Sequence, residues 1–260
     1  MQTKLFIKNR KGQRLVVLVD TPENPVGLAF VVHGLGGFKE QPHIQLFADV
    51  LCQNGYTTIR YDAADTIGES GGKMENATTT SYYEDLEDVI AWAKTQAFYK
   101  EPFVLVGHSL GGISSILYAE KHSGEVRGLA PVSSVISGKL HIATYPPELL
   151  KEWQARGYIE SESISKPGIM KKIGWRFIED GKRYDVLPEA AKLTMPVLLI
   201  VGDKDTATPL AHQKMLYEKL PGKRELYIIK NAGHNFRGEH EFTEIKAAMS
   251  TWLAGLHSRG

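Results

Sequence analysis

The chain has 260 residues, of which 42% are apolar and 23% charged, enough for one large α/β domain with an insertion or for two small domains. A formal charge of +1 gives no electrostatic reason to expect nucleic acid or an anionic membrane as a partner, and no apolar run approaches membrane-spanning length. The single cysteine, Cys52, excludes an internal disulfide, and the opening residues 1–8 alternate without the apolar core of a signal peptide, so the expected compartment is the cytoplasm.

Leu5 and Ile7 alternate with Lys4 and Lys8, Asn9 to Gly12 reads as a turn, and Arg14 to Asp20 completes a hairpin. Leu28 to Val32 is a nearly continuous apolar run, as in a strand buried on both faces, and it ends in His33-Gly34-Leu35-Gly36-Gly37. Helical spacing follows over Gln41 to Asn54, with Gly55 as its stop, and Tyr56 to Tyr61 is the next strand. A polar, Gly-rich loop leads to an amphipathic helix over Tyr82 to Lys94, whose acidic residues Glu84, Asp85, Glu87 and Asp88 are expected to favour its N-terminal dipole. Further strands are expected over Phe103 to Val106, Gly128 to Ser133, Pro196 to Val201 and Glu225 to Lys230, with helices near Leu210 to Lys219 and Glu239 to Leu256. The alternation predicts an eight-stranded, mostly parallel sheet with helices on both faces. The strand rhythm stops over about 135–194, a stretch rich in aromatic residues, which reads as a small cap inserted into a single domain over 1–260.

The chemistry centres on Gly107-His108-Ser109-Leu110-Gly111-Gly112, which lies between a strand and a helix. In that context G-x-S-x-G marks a nucleophile elbow, a strained turn that lifts the serine hydroxyl above the sheet. A serine hydroxyl needs an adjacent base. Among nine histidines the expected base is His234, because it follows the last strand. His108 should point away from the hydroxyl, and His33 should support its own loop. His43, His122, His141, His212, His240 and His257 read as surface or packing residues. The base needs a carboxylate, for which Asp203 and Asp205 compete in the loop after the preceding strand. An oxyanion would be held by the backbone N–H of Leu110 and by that of Leu35. The Gly-rich loop at Leu35 has neither the lysine of a Walker motif nor dinucleotide-fingerprint spacing, which argues against a phosphate-binding loop. No metal or organic cofactor is expected.

The chain resembles an α/β-hydrolase along nearly its whole length, through His33-Gly34, Gly107-x-Ser109-x-Gly111, Gly202-Asp-Lys-Asp205-x-x-x-Pro209 and Gly233-His234. The order Ser109, Asp205, His234 is that family's order, and the resemblance implies Asp205 as the acid. It is similar in particular to bacterial cinnamoyl/feruloyl esterase-like and serine-aminopeptidase-like proteins. The residues that carry this are Arg60-Tyr61-Asp62, Gly68-Glu69-Ser70-Gly71-Gly72 and Glu75-Asn76, and the cap of such relatives implies a short hairpin beginning near Arg156-Gly157-Tyr158-Ile159. Two positions depart from that pattern: Thr66-Ile67-Gly68 replaces Gly-His-Gly, and Leu110 stands where cinnamoyl esterases often have Gln. The expected function is a serine hydrolase acting on a small-molecule ester with a short or aryl acyl group, through an acyl-enzyme. Alternatives are an amidase or peptidase, or a monoacylglycerol-type lipase; intact site residues argue against a non-catalytic binding protein. Trp175 is the expected aromatic substrate contact in the cap.

Overall fold

The structure, a computed structural model, describes residues 1–257, and the reading of His257 lies outside its described side chains. Strands β1 (Gln2–Lys8) and β2 (Arg14–Asp20) form the opening antiparallel hairpin. They are followed by β3 (Gly27–Val32), helix α1 (Pro42–Gln53), β4 (Tyr56–Asp62), α2 (Thr79–Ala93), β5 (Phe103–His108), α3 (Leu110–Lys121) and β6 (Val126–Val132). Helices α4 (Gly138–Ile142) and α5 (Pro147–Arg156), a hairpin of β7 (Tyr158–Glu162) and β8 (Met170–Gly174), and α6 (Arg176–Gly181) come next. The chain ends with β9 (Val197–Gly202), α7 (Leu210–Lys219), β10 (Arg224–Ile229) and α8 (Glu239–His257). Among the described residues no helix is long and apolar enough to cross a membrane.

The main sheet has eight strands in the order β1-β2-β4-β3-β5-β6-β9-β10. The pairs β1–β2 and β2–β4 are antiparallel and the remaining neighbours parallel, the mostly parallel sheet expected from the alternation. Continuous apolar strands serve both faces because successive side chains alternate. Phe30 and Val32 enter the core under α2, α3 and α7, whereas Ala29 and Val31 enter the core under α1 and α8. Strands β3 and β5 are neighbours, but the chain leaves β3 toward α1 on one face and β5 toward α3 on the other. Their carboxyl ends therefore diverge around a crevice, the place where open α/β sheets hold ligands.

Helix α2 begins at Thr79, earlier than its apolar spacing predicts, because Thr78 and Ser81 form a reciprocal capping box. The acidic residues consequently lie beyond the first turn and do not serve the helix dipole. They hold the β1–β2 turn instead: Arg10 pairs with Glu87 at 3.0 Å and Asp88 at 2.9 Å, and Lys11 pairs with Glu84 at 2.6 Å. Asn9 donates to the buried Asp85 at 2.8 Å.

The Arg60-Tyr61-Asp62 and Gly68-Glu69-Ser70 residues form a tie beneath the loop that follows β4. Asp62 accepts hydrogen bonds from the Lys39 amide at 2.7 Å, the Lys39 ammonium at 2.8 Å and the Glu69 amide at 2.8 Å. The Ser70 hydroxyl donates to the Asp62 carbonyl at 2.6 Å. Lys39 and Asp62 side chains are both 0% exposed, and Asp62 is the one fully buried carboxylate on an ammonium that also meets the partly exposed Glu40 and Glu69. Lys39→Met is therefore expected to destabilise the protein by about 3–5 kcal/mol, the cost of an uncompensated buried charge. Urea unfolding of the two proteins measures the difference, and a loss under about 1 kcal/mol would place this pair among weak surface ion pairs.

Candidate active site

Ser109 stands between β5 and α3 with φ 55° and ψ −115°, a left-handed conformation rare for a residue with a side chain. Neighbouring glycines permit it. A Cβ at Gly107 would collide with the Gly111 carbonyl, and one at Gly111 with the carbonyls of Val32 and His33. The Ser109 N–H donates to the Val132 carbonyl at 3.0 Å, and its carbonyl accepts the amides of Gly112 at 3.0 Å and Val135 at 3.1 Å. Backbone bonds to the adjacent strand and helix thus hold the strained residue in place.

The β9–α7 loop and the β10–α8 loop bring Asp205 and His234 to the same end of the sheet. His234 Nε2 is 3.0 Å from Ser109 Oγ, and His234 Nδ1 is 2.9 Å from Asp205 Oδ2. The carboxylate accepts at Nδ1–H, which leaves the Nε2 lone pair for the serine hydroxyl. Asp205 Oδ1 also accepts the amides of Ala207 and Thr208, each at 2.9 Å, and the Thr208 hydroxyl donates to Oδ2 at 2.8 Å. Burial alone would raise the Asp205 pKa, but the bonds from His234 and Thr208 outweigh it and hold the carboxyl well below its usual range. The competing Asp203 has another partner: it accepts the Asn231 amide at 2.7 Å and fixes the turn after β10. An imidazole oriented by a carboxylate, with its free nitrogen on a hydroxyl, can take that hydroxyl's proton as a bond forms to oxygen.

Leu110 is the first residue of α3, so its N–H has no partner within the helix. Leu35, in the loop after β3, lines the same pocket as Ser109. Beneath that loop His33 accepts the Ala63 amide at Nε2, 3.0 Å, and bonds the Gly34 carbonyl through Nδ1, 2.8 Å. Burial lowers its pKa and keeps the ring neutral, as this pair of bonds requires.

The pocket at Ser109 measures about 220 Å³. Part of its wall comes from the segment between β6 and β9, through Tyr145, Ser163, Ile164 and Lys171. Trp175 does not reach it. Its ring stands edge-on to Trp153 at 6.1 Å and lines a separate depression with Glu75 and Tyr158. Trp153 is fully buried against Phe177, so Trp175 is drawn into the aromatic packing of this segment, and Tyr145 occupies the pocket wall.

Several residues at the site have no distinctive spacing in the sequence. His108 Nε2 donates to the His234 carbonyl at 2.8 Å and so fixes the backbone that carries the imidazole. Its adjacency to Ser109 was the available signal, and its ring packs against that of His234, with centroids 4.9 Å apart. His43 is buried against His108, with ring centroids 4.4 Å apart, and burial pushes its pKa down to about 3. His141 lines the pocket and bonds the Ala207 carbonyl at 3.1 Å and the Tyr145 hydroxyl at 3.2 Å. Burial lowers its pKa to about 4. His141 thus contributes to the pocket wall, beyond the surface or packing role expected of it, whereas His43 packs beneath the site as expected.

Among solved structures, the chain is similar to Est1E from Butyrivibrio proteoclasticus in complex with ferulic acid, with TM-score 0.83 and 22% identity over 98% of this chain and 100% of that one. It is similar to mouse alpha/beta hydrolase domain-containing protein 10, with TM-score 0.79 and 18% identity over 98% and 99%. These likenesses show an α/β-hydrolase fold. A monoacylglycerol lipase of Mycolicibacterium smegmatis is 23% identical over 93% of each chain. The family model described as Hydrolase_4, serine aminopeptidase S33, matches residues 23–241. That match spans most of the sheet and the loops bearing Ser109, Asp205 and His234, and the chain belongs to this family of hydrolases.

Proposed function

We propose that the protein is a serine esterase that cleaves small carboxylic esters through an acyl-enzyme on Ser109. The observation that carries this reading is the hydrogen-bonded series Asp205–His234–Ser109 at a strained serine facing a pocket. Ser109 Oγ attacks the ester carbonyl while His234 Nε2 takes its proton. The amides of Leu35 and Leu110 hold the oxyanion, and Asp205 stabilises the imidazolium. His234 then gives the proton to the departing alkoxide, and water, activated by the same imidazole, releases the acid and regenerates the serine. The segment 135–194 acts as a cap that closes the pocket over the substrate. No cofactor takes part in this sequence.

A pocket of about 220 Å³ lies at the small end of ligand sites, and Tyr145 offers an aromatic face in it. Short-chain and aryl esters are therefore expected to be hydrolysed with higher kcat/KM than esters of about twelve carbons, since each CH₂ contributes about 0.8 kcal/mol only where a groove buries it. A p-nitrophenyl ester series, with hydroxycinnamate esters beside it, measures this. Rising kcat/KM out to long chains would support a lipase instead, a reading for which the mycobacterial monoacylglycerol lipase is the relevant relative.

A further inference from the structure

We propose that the ester this site takes carries a negatively charged group, a carboxylate or a phosphate, held by Lys171 and Arg237 at the pocket wall; this rests on the esterase reading above. Lys171 on β8 and Arg237 on the β10–α8 loop both line the pocket that contains Ser109. Among the described residues no carboxylate lies within ion-pair distance of either side chain, whereas Lys172, beside Lys171 on β8, pairs with Glu75, and Lys39 pairs with Asp62. The acidic groups nearby have other partners. Asp205 is bonded to His234 and Thr208, and Glu241 accepts the backbone amides of Arg237 and Gly238. Among the described residues that line the pocket there is no aspartate or glutamate.

Two like charges at one half-enclosed site repel each other unless an anion lies between them. The Lys171 ammonium shows that tension: burial lowers its pKa first, and repulsion from Arg237 lowers it further. Arg237 also lines the adjoining cavity of about 290 Å³, where Phe236 and Phe242 supply an apolar surface. An ester with an apolar body and an anionic end matches this combination. A substrate bearing a free ammonium, as an aminopeptidase substrate does, would meet two cations and no free carboxylate.

The test compares kcat/KM for paired esters that differ only in charge. On the acyl side these are mono-p-nitrophenyl adipate, the p-nitrophenyl ester of 6-phosphonohexanoic acid, neutral p-nitrophenyl hexanoate and cationic p-nitrophenyl 6-aminohexanoate. On the alcohol side, 4-carboxyphenyl hexanoate is compared with phenyl hexanoate. The expected result is a preference of about ten- to a hundredfold for an anionic ester over its neutral partner on one side, the scale of one or two charge-assisted hydrogen bonds. The cationic ester should be slowest, and the preference should shrink as salt rises. The carboxylate and phosphonate arms separate the two sources of charge. In the double variant Lys171→Met, Arg237→Gln the anionic-to-neutral ratio should fall toward one; rescue of the ratio by Lys171→Arg would tie it to charge and not to folding. Neutral esters turned over as fast as anionic ones on both sides overturn the proposal and leave the esterase reading standing. If no ester is turned over and Ser109 resists a fluorophosphonate, the esterase reading itself fails and the proposal with it.

Discussion

Ser109→Ala is expected to lower kcat for ester hydrolysis by about 10⁶-fold, leaving only the residual rate that binding and the oxyanion donors support. The magnitude follows from the role assigned to Oγ. In the proposed mechanism it is the atom that forms the covalent bond, and alanine leaves His234 Nε2 with no hydroxyl at 3.0 Å to activate. The fold should not change. Alanine inherits the same φ of 55°, and the backbone bonds to Val132, Gly112 and Val135 do not involve the side chain. Circular dichroism and unfolding midpoint should thus match wild type while turnover collapses. Retention of even a tenth of wild-type kcat would remove Ser109 from the mechanism.

Asp205→Asn is expected to cost up to about 10⁴-fold in kcat, because an amide can donate to Nδ1 and so hold His234 in the tautomer whose Nε2 carries the proton. The buried carboxyl loses a charge that its bonds from His234 and Thr208 stabilise, so a moderate loss of stability should accompany the kinetic effect. Asp203→Asn is the matched control. Asp203 accepts a single backbone amide, from Asn231, and asparagine keeps an oxygen there, so its cost should stay within about tenfold. Steady-state kinetics of both variants decide the assignment, and a larger effect at Asp203 would reverse it.

The parts of this molecule that were legible in the sequence are those set by local rules. Buried parallel strands announce themselves as unbroken apolar runs such as Leu28 to Val32, and the glycines at 107 and 111 mark the turn that carries Ser109. Position after a strand pointed to His234 among nine histidines and the family resemblance pointed to Asp205 over Asp203, and the structure brings both side chains together beside Ser109. What the sequence left hidden depends on side chains far apart in the chain. Lys39 meets Asp62 and Glu69 only because β4 lies beside β3, and no local pattern marks a lysine that will be fully buried. The acidic run in α2 looked like a dipole partner until Thr78 and Ser81 moved the helix start. Trp175 was the plausible ring for the pocket, yet the packing of Trp153 and Phe177 draws it away and leaves the wall to Tyr145 and Lys171. Outside the β7–β8 hairpin, the segments between β6 and β9 have no sheet period to fix which face looks inward, so their contacts could not be read in advance.

The most direct test of the account is to trap the covalent intermediate. The protein is treated with a fluorophosphonate and, separately, with a slowly deacylating p-nitrophenyl ester, and intact mass and peptide mapping locate the adduct. The account predicts one adduct per chain, on Ser109, together with loss of turnover and no labelling of Ser109→Ala. An adduct at another residue, or hydrolysis that proceeds with Ser109 unmodified, would contradict it.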